Sequence, residues 1–315
     1  MRSPKEMQAL YRQGENISAA RRREYGLDQN SREIVELSYD LQTGSYINAV
    51  VNGGLAAHKA AYSAELARRI QELCGAADPP ASVLEVGVGE ATTFVGVVEN
   101  MPSTTRFYGF DLSWSRAAFA KDWLEQNGAA QCWIGTGDLF NIPFRDRSID
   151  IVYTSHSIEP NGGQEEPILR ELLRVARRYV VLLEPAYELA TQAMRKRMDS
   201  HGYCRGLPKI ASELGGEVLC HESFPHSANP ENPTAITIIA KQPMPQDEER
   251  RHDETEVLAC PKYKTPLREI DGLFFSEEAL VVYPTIGGIP CLRIENGILA
   301  SKFAERPRNR SIAHT

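Results

Sequence analysis

The stretch VLEVGVGEATTF, Val83 to Phe94, decides the fold. It begins with apolar residues around the acid Glu85 and continues into two glycines, Gly87 and Gly89, that are one residue apart. A short apolar run is typical of a buried parallel strand, and glycines directly after it allow a tight turn and a close approach of the backbone to a nucleotide. The stretch therefore predicts a strand followed by a nucleotide-binding turn, without indicating which nucleotide binds there.

The region around this stretch alternates between strand-like and helix-like patterns. The predicted strands are residues 82–88, 106–111, 130–135, 148–155, 178–185, 217–224 and 235–241. Helical patterns separate the first five strands, which indicates right-handed crossovers in a parallel sheet. Only PHSANPENPT separates the last two, too short for a helical crossover, so we expect them to pair antiparallel. The predicted fold class is α/β, with a Rossmann-like seven-stranded sheet whose last strand is antiparallel.

Changes in composition divide the chain into five predicted segments. They are a helical N-terminal lid (1–75), the nucleotide-binding domain (76–242), a charged linker (243–256), a small strand-rich C-terminal module (257–298) and a basic tail (299–315). In the first segment, LAAHKAAYSAELARRIQELC has helical periodicity. Its apolar face is predicted to consist of Leu55, Ala56, Ala60, Ala64, Leu66 and Ile70.

Composition limits the classes of protein that fit. The chain has 315 residues, 42% of them hydrophobic, and a formal net charge of -7. The acidic balance disfavours a broad nucleic-acid-binding surface, although a local basic patch stays open. No apolar run approaches the ~20 residues of a membrane span, and the first residues lack the apolar core of a signal peptide. The six cysteines are scattered, as free thiols in a reducing compartment would be. We expect a cytoplasmic protein with no membrane partner.

Residues 80 to 242 resemble the class I S-adenosylmethionine-dependent methyltransferases. The resemblance begins with the acid and glycines of the first strand and turn, and it implies that Glu85, Gly87 and Gly89 bind the amino acid part of the cofactor. Ala91 stands where a third glycine is common in that family. An NAD enzyme would use similar glycines, so the turn alone does not separate the two families.

The motifs after the second and third strands favour the methyltransferases. By resemblance, Asp111 at the end of the second strand accepts hydrogen bonds from the ribose hydroxyls, with Leu112 beside it. An alternative is that Asp111 only caps the helix that begins near Ser113. In GDLFNIPFRDRSIDIVYTSHSIEP, the resemblance implies that Asp138 binds the adenine amino group, that Leu139 offers its backbone N–H, and that Ser155 lines the pocket. The predicted cofactor is S-adenosylmethionine.

Two residues after the fourth strand are candidates for acid–base chemistry. His156 lies at the carboxyl edge of the sheet, where ligands bind in open α/β folds, and its usual pKa of ~6.5 suits a general base. Glu159 is the second candidate. A hydroxyl acceptor would need such a base, whereas an amine or thiol acceptor would not. In the N-terminal segment, Tyr46 is predicted to be a lid residue whose ring faces the sulfonium or the acceptor; the alternative is an ordinary core tyrosine.

The C-terminal module resembles the small zinc-ribbon-like proteins that activate certain methyltransferases. The similarity rests on Cys260-Pro261, on LREIDGLFFSEEALVVYP and on GGIP at 287–290. The second cysteine of the metal-binding pair is replaced by Tyr263, which leaves Cys260 and Cys291 as the module's cysteines, and zinc needs four ligands. We therefore predict no metal site. We expect the module's apolar residues to dock on its own catalytic domain or on a second copy, which would make a homodimer.

Three functions from different classes remain open at this point. The leading one is O- or N-methylation of a small-molecule acceptor, such as a sugar or another biosynthetic intermediate. The second is a methyltransferase of tRNA or of a translation-associated protein, which the resemblance of the C-terminal module to activator proteins favours. The third is a non-catalytic adaptor that keeps the methyltransferase fold.

Overall fold

The computed structural model describes residues 2–243 and 257–305, which form ten α-helices and thirteen strands. The helices are α1 (Pro4–Arg12), α2 (Ile17–Tyr25), α3 (Arg32–Leu41), α4 (Ser45–Val51), α5 (Ala56–Cys74), α6 (Phe94–Glu99), α7 (Trp114–Gln126), α8 (Glu165–Val175), α9 (Gln192–His201) and α10 (Leu207–Glu213). The strands are β1 (Ser82–Val86), β2 (Arg106–Asp111), β3 (Trp133–Thr136), β4 (Ile149–Ser155), β5 (Ala176–Pro185), β6 (Glu217–Ser223), β7 (Thr234–Ala240), β8 (Arg268–Ile270), β9 (Leu273–Ser276), β10 (Val281–Tyr283), β11 (Thr285–Ile286), β12 (Ile289–Pro290) and β13 (Ile298–Leu299). In these two ranges no helix is both long and apolar enough to cross a membrane.

The first seven strands form one sheet in the order β3-β2-β1-β4-β5-β7-β6. Strands β1 to β5 are parallel, and β7 lies between β5 and β6 and is antiparallel to both. The predicted fold class is confirmed, including the hairpin at the end of the sheet. All seven predicted strands are present, and β2 has the predicted bounds. Reversal of the strand order between β1 and β4 opens a crevice at their carboxyl ends, which is where ligands bind in such sheets.

The N-terminal segment is helical, as predicted, but the buried face of α5 is partly different. Leu66 and Ile70 are buried, whereas Leu55, Ala56 and Ala60 are exposed. The helix turns Tyr62 and Ser63 inward instead, because α6 lies close to this face. The Ser63 hydroxyl donates to the Thr93 carbonyl at 2.9 Å, and a Cβ at Gly96 would collide with Ser63. A polar residue therefore occupies part of the face that alanines were expected to fill.

The C-terminal module docks on the edge of the large sheet in the same chain. Strands β13-β10-β9-β8 form a small antiparallel sheet, and β11 pairs with β12. Isolated bridges join Leu258 to Phe144 and Cys291 to Thr136, so the module contacts the loop after β3 and the end of β3 itself. Lys264 Nζ also lies 2.8 Å from Glu171 Oε2 on α8. The contacts that fix the module are thus intramolecular. The predicted linker from 244 onward and the predicted basic tail from 306 onward lie outside the described residues.

Apolar packing fills most of the module's interior. The buried apolar positions include Leu267, Ile270, Phe274, Phe275, Val282, Ile289 and Leu292, whereas Leu280 and Ile286 are exposed. Cys260 is buried with its Sγ 3.5 Å from the Tyr283 hydroxyl. Within the described ranges, no three His, Cys, Asp or Glu side chains are grouped as a metal site would require. That the module is free of metal stays a prediction.

Removing the module should destabilise the remaining domain. We expect a chain ending at Pro243 to melt at a lower temperature, because Phe144 and Trp133 lose apolar neighbours. A loss of about 3 kcal/mol, roughly one or two buried side chains, lowers Tm by about 6–12 °C in a domain of this size. Differential scanning calorimetry measures the shift. Leu299→Ser in the full chain, at a side chain that is 77% exposed, is the control and should leave Tm unchanged. An equal Tm for the truncated chain would show that the module is an independent appendage.

Candidate active site

A cavity lies at the carboxyl ends of β1, β2 and β4, beneath α3 and α4. Its volume, including the open mouth, is about 760 Å³. Eight residues predicted from the sequence line it: Tyr46, Gly87, Asp111, Leu112, Asp138, Leu139, Ser155 and His156. Three others, Glu85, Gly89 and Glu159, lie next to the cavity without lining it. The structure therefore brings most of the predicted site together from segments that are far apart in the chain.

The turn after β1 has the geometry that its glycines predict. Gly87 and Gly89 have φ values of 77° and 58°, and the N–H groups of Gly87 and Val88 both donate to the Phe110 carbonyl at 2.9 Å. A Cβ on Gly87 would collide with Ser157, so glycine is needed there for close approach as well as for φ. Ala91 also has a positive φ, 57°, at the position where the family commonly has glycine. The alanine is accommodated in a conformation that favours glycine.

Glu85 lies behind this turn rather than in the cavity. Its side chain is buried and accepts a hydrogen bond from the Tyr153 hydroxyl at 2.6 Å. Burial raises the pKa of the Glu85 carboxyl to about 8. At neutral pH the Glu85 carboxyl is therefore mostly protonated. Its hydrogen bond with Tyr153 joins β1 to β4 below the glycine turn.

Asp111 joins the turn to the start of α7. Its Oδ2 accepts from the Gly89 N–H at 2.9 Å, and its Oδ1 accepts from the Ser113 N–H at 3.0 Å. Ser113 is itself the N-cap of α7. The capping interpretation is therefore correct in part, and it does not replace the other one: each carboxylate oxygen can accept a further hydrogen bond, and Asp111 lines the cavity.

Asp138 is held by its own loop and by the lid. Its Oδ1 accepts from the Phe140 N–H at 3.0 Å, and its Oδ2 lies 2.7 Å from Nη1 of Arg32 on α3. The Leu139 N–H takes no partner among the residues that the structure describes, which leaves it available to a ligand. Arg32 leaves no signal in the sequence, because its partner is more than a hundred positions away.

The lid is attached to the glycine turn through a buried carboxylate. Glu90 accepts hydrogen bonds from Gly44 N at 3.0 Å and from Ile47 N at 2.8 Å, at the start of α4. This arrangement places Tyr46 at the cavity, with its ring centre 4.8 Å from the Arg116 guanidinium carbon. The position of Tyr46 in the lid agrees with the prediction, but its ring faces a cation of the protein.

His156 and Glu159 form a pair rather than two alternatives. His156 Nδ1 lies 2.5 Å from Glu159 Oε2, and its Nε2 lies 2.9 Å from the Thr234 hydroxyl. Burial alone would lower the pKa of His156, but its hydrogen bond to Glu159 and the charge of that carboxylate raise the pKa above the usual value. Glu159 therefore stabilises the protonated imidazole and orients the ring.

Glu184 at the end of β5 fixes the turn that carries this pair. Its carboxylate accepts from the N–H groups of Ser157, Ile158 and Glu159 at 3.2, 3.1 and 2.9 Å. His156 itself has φ 57°, a conformation that is uncommon for any residue other than glycine. A strained residue held by a buried carboxylate is typical of functional sites. Glu184 was not predicted as a site residue, because its role appears only when β4 and β5 lie side by side.

The C-terminal module reaches the lid at the rim of the cavity. Arg293 Nη2 lies 2.9 Å from Glu36 Oε2 on α3, and Arg293 Nη1 donates to the Leu112 carbonyl at 3.1 Å. Glu295 forms an ion pair with Arg32, which also binds Asp138. We call Arg32, Glu36, Arg293 and Glu295 the lid clasp. It connects the module, the lid and the loop of Asp138.

Comparisons with known proteins agree with this architecture. Residues 83–179 match the family model of a methyltransferase domain. The magnesium protoporphyrin IX methyltransferase of Synechocystis PCC 6803, solved with bound SAH, is 14% identical; the alignment covers 67% of this chain and 100% of that one, with a TM-score of 0.51. A candidate O-methyltransferase from Nostoc punctiforme is 14% identical over 65% of this chain and 60% of that one, with a TM-score of 0.50. These two similarities show the fold alone. Among curated proteins, no sequence matches the chain.

The lid clasp predicts a measurable effect on the opening of α3. Arg293→Met keeps most of the side chain's apolar length but removes the ion pair with Glu36 and the bond to the Leu112 carbonyl. Loss of about 1 kcal/mol of local stability should speed hydrogen exchange of the α3 amides roughly fivefold. Exchange mass spectrometry measures this, with Lys302→Met, which removes the exposed pair to Glu305, as the matched control. Unchanged exchange in α3 would mean that the clasp does not hold the lid.

Proposed function

We propose that this chain methylates a small-molecule acceptor, on oxygen or nitrogen, in an enclosed site beneath the lid. The methyltransferase domain makes it an enzyme, and its cofactor is S-adenosylmethionine. The observation that carries the proposal is that eight residues predicted from separate motifs line one cavity at the carboxyl edge of the sheet. A methyl group on a sulfonium is already activated, so positioning of the acceptor supplies much of the rate.

The residues of the cavity fit this cofactor. Asp111 carries acceptor oxygens for a ribose diol, and Asp138 with the unpartnered Leu139 N–H offers an acceptor and a donor to the edge of an adenine. Gly87 keeps the turn free of a side chain. Phe110, Phe140 and Leu139 supply apolar lining for a flat ring. We assign the binding role to Gly87, Asp111, Leu112, Asp138, Leu139 and Ser155, with Glu85 and Gly89 supporting them from behind.

His156 is our candidate for the base, with Glu159 as the residue that orients it. Nδ1 of His156 contacts Glu159, and Nε2 contacts the Thr234 hydroxyl. His156 also lines the cavity. A neutral His156 would accept a proton from a hydroxyl acceptor at Nε2 once the Thr234 hydroxyl turns away. For an amine acceptor that is neutral when bound, the same pair would chiefly position the substrate.

The enclosure of the cavity favours a small acceptor over a macromolecule. Helices α3 and α4 lie over it, and the lid clasp closes its rim with residues of the C-terminal module. A tRNA or a translation-associated protein remains the second candidate, on the resemblance of that module to methyltransferase activators. The module docks on its own domain, and we propose a cytoplasmic enzyme whose cavity is lined by residues of one chain.

Cofactor binding tests the proposal directly. We expect S-adenosylmethionine and S-adenosylhomocysteine to bind the wild type with micromolar Kd values. Asp111→Ala should weaken both roughly 100-fold, because hydrogen bonds to a carboxylate contribute about 1.5–3 kcal/mol each. Isothermal titration calorimetry gives the affinities, and Asp122→Ala, at an exposed position of α7, is the control. Absence of binding to the wild type would contradict the proposed function, and a tight-binding Asp111→Ala protein would contradict the role of this residue.

The His156–Glu159 pair predicts a specific dependence on pH. Since Glu159 raises the pKa of His156, its imidazole should titrate above the usual 6.5, and Glu159→Gln should move the midpoint to lower pH. NMR titration of the imidazole measures both. With a hydroxyl acceptor, kcat/KM should rise with pH through the same midpoint, because only neutral imidazole is a base. His156→Ala should then lower kcat by roughly 10²–10⁴. Identical midpoints in the wild type and Glu159→Gln would contradict the pairing.

A further inference from the structure

Arg116 is a buried cation that lines the cavity. It lies in the first turn of α7, its exposed fraction is 8%, and it lines the cavity. Its guanidinium carbon lies 5.0 Å from the ring centre of Tyr39 and 4.8 Å from that of Tyr46. Among the residues that the structure describes, its guanidinium has neither an ion pair nor a hydrogen bond, and its buried Nε has no acceptor.

The carboxylates nearest to Arg116 bind backbone groups instead. Asp111 accepts from two N–H groups at the turn and at α7, and Glu90 accepts from two N–H groups of the lid. The other charged side chains that line the cavity form pairs: Arg32 with Asp138 and Glu295, and Glu36 with Arg293. Burial alone would lower the pKa of Arg116, but the charges of Asp111 and Glu90 raise it. Arg116 is thus a lining cation that these carboxylates influence from a distance, without a contact ion pair to any described residue.

Burial of the Arg116 Nε is costly, because its N–H loses water and finds no acceptor among the described residues. Two tyrosine rings repay part of this cost through cation–π contacts, each of about 0.5–2 kcal/mol. Cation–π contacts do not use the N–H groups of the guanidinium as hydrogen-bond donors. Among the described residues, these N–H groups therefore have no acceptor.

We propose that Arg116 binds a carboxylate inside the cavity. The identity of the ligands in this inference rests on the proposed function. The location of the binding site rests on the position of Arg116 alone. The guanidinium lies against the glycine turn, where a Cβ on Gly89 would collide with Nη2. The N-terminus of α7, a helix of 13 residues, adds partial positive charge at the same place. A planar carboxylate matches the paired N–H groups of a guanidinium edge.

Two molecules in the reaction could supply this carboxylate. One is the α-carboxylate of the cofactor's amino acid part, and the other is a carboxylate on the acceptor. The position against the glycine turn favours the cofactor. The alternative is that Arg116 binds no ligand and only holds Tyr39 and Tyr46 in the lid.

Two nucleosides that differ in the amino acid part separate these cases. S-adenosylhomocysteine has the α-carboxylate and 5′-methylthioadenosine lacks it. If the cofactor supplies the carboxylate, Arg116→Met should weaken S-adenosylhomocysteine roughly 10- to 100-fold, as expected for a charged hydrogen-bonded pair, and 5′-methylthioadenosine less than threefold. Arg116→Lys keeps the charge but not the paired N–H groups. Its affinity for S-adenosylhomocysteine should lie between those of the wild type and Arg116→Met. Melting curves of each variant verify that it is folded.

A carboxylate probe tests the second source. If Arg116→Met changes neither nucleoside affinity, benzoate should bind wild-type protein saturated with S-adenosylhomocysteine and should not bind the saturated variant. We would also titrate benzoate into protein without nucleoside, so that Arg116 is tested even if no nucleoside binds and the proposed function fails. Equal affinities of wild type and Arg116→Met for both nucleosides and for benzoate would overturn the inference and leave Arg116 as a part of the lid alone. An equal loss for both nucleosides would overturn it as well, because the effect would not depend on the carboxylate.

Discussion

The hydrogen bonds of Asp111 to the backbone are the interaction on which the rest of the site depends. One carboxylate oxygen accepts from the glycine turn after β1, and the other accepts from the first residues of α7. Glu90 connects the same turn to the lid, and Glu184 holds the turn that carries His156. A buried carboxylate must be hydrogen-bonded, and backbone N–H groups at turns and helix starts are donors without other partners. These three acids therefore fix three parts of one cavity: Asp111 the glycine turn, Glu90 the lid, and Glu184 the turn that carries His156.

Much of this architecture could be predicted from the sequence because its signals are local. Alternation of apolar strands and helical segments predicted seven strands in the right places. Seven of the eight predicted cavity residues lie at or just after the carboxyl ends of the first four strands, and the eighth, Tyr46, lies in the N-terminal segment. The prediction of the buried face of α5 was only partly right. Periodicity alone favours alanines there, but packing against α6 buries Ser63 and Tyr62 instead. Periodicity describes a helix, but its neighbour decides which residues are buried.

The residues that the sequence did not reveal are those whose partners are distant in the chain. Arg32 contacts Asp138, and Arg293 contacts Glu36, over separations that leave no pattern in the sequence. Glu90 and Glu184 look like ordinary acids until the lid and the neighbouring strand are in place. Arg116 is different, because a basic residue in the first turn of a helix directly after a binding-site acid was visible in the sequence. Its importance depends on its lack of an ion pair, which only the structure shows.

The lid clasp uses two residues, Arg293 and Glu295, that are synthesised after the whole large sheet. Domains generally fold as units from the N-terminus during translation, and all strands of the large sheet are complete by Ala240. Arg293 and Glu295, which bind the lid, are made about fifty residues later. A ribosome that stops before them releases a chain with a complete sheet and a complete set of cofactor-lining motifs, but with α3 unclasped. Attachment of the lid through the clasp therefore requires residues 293–295 in addition to the large sheet.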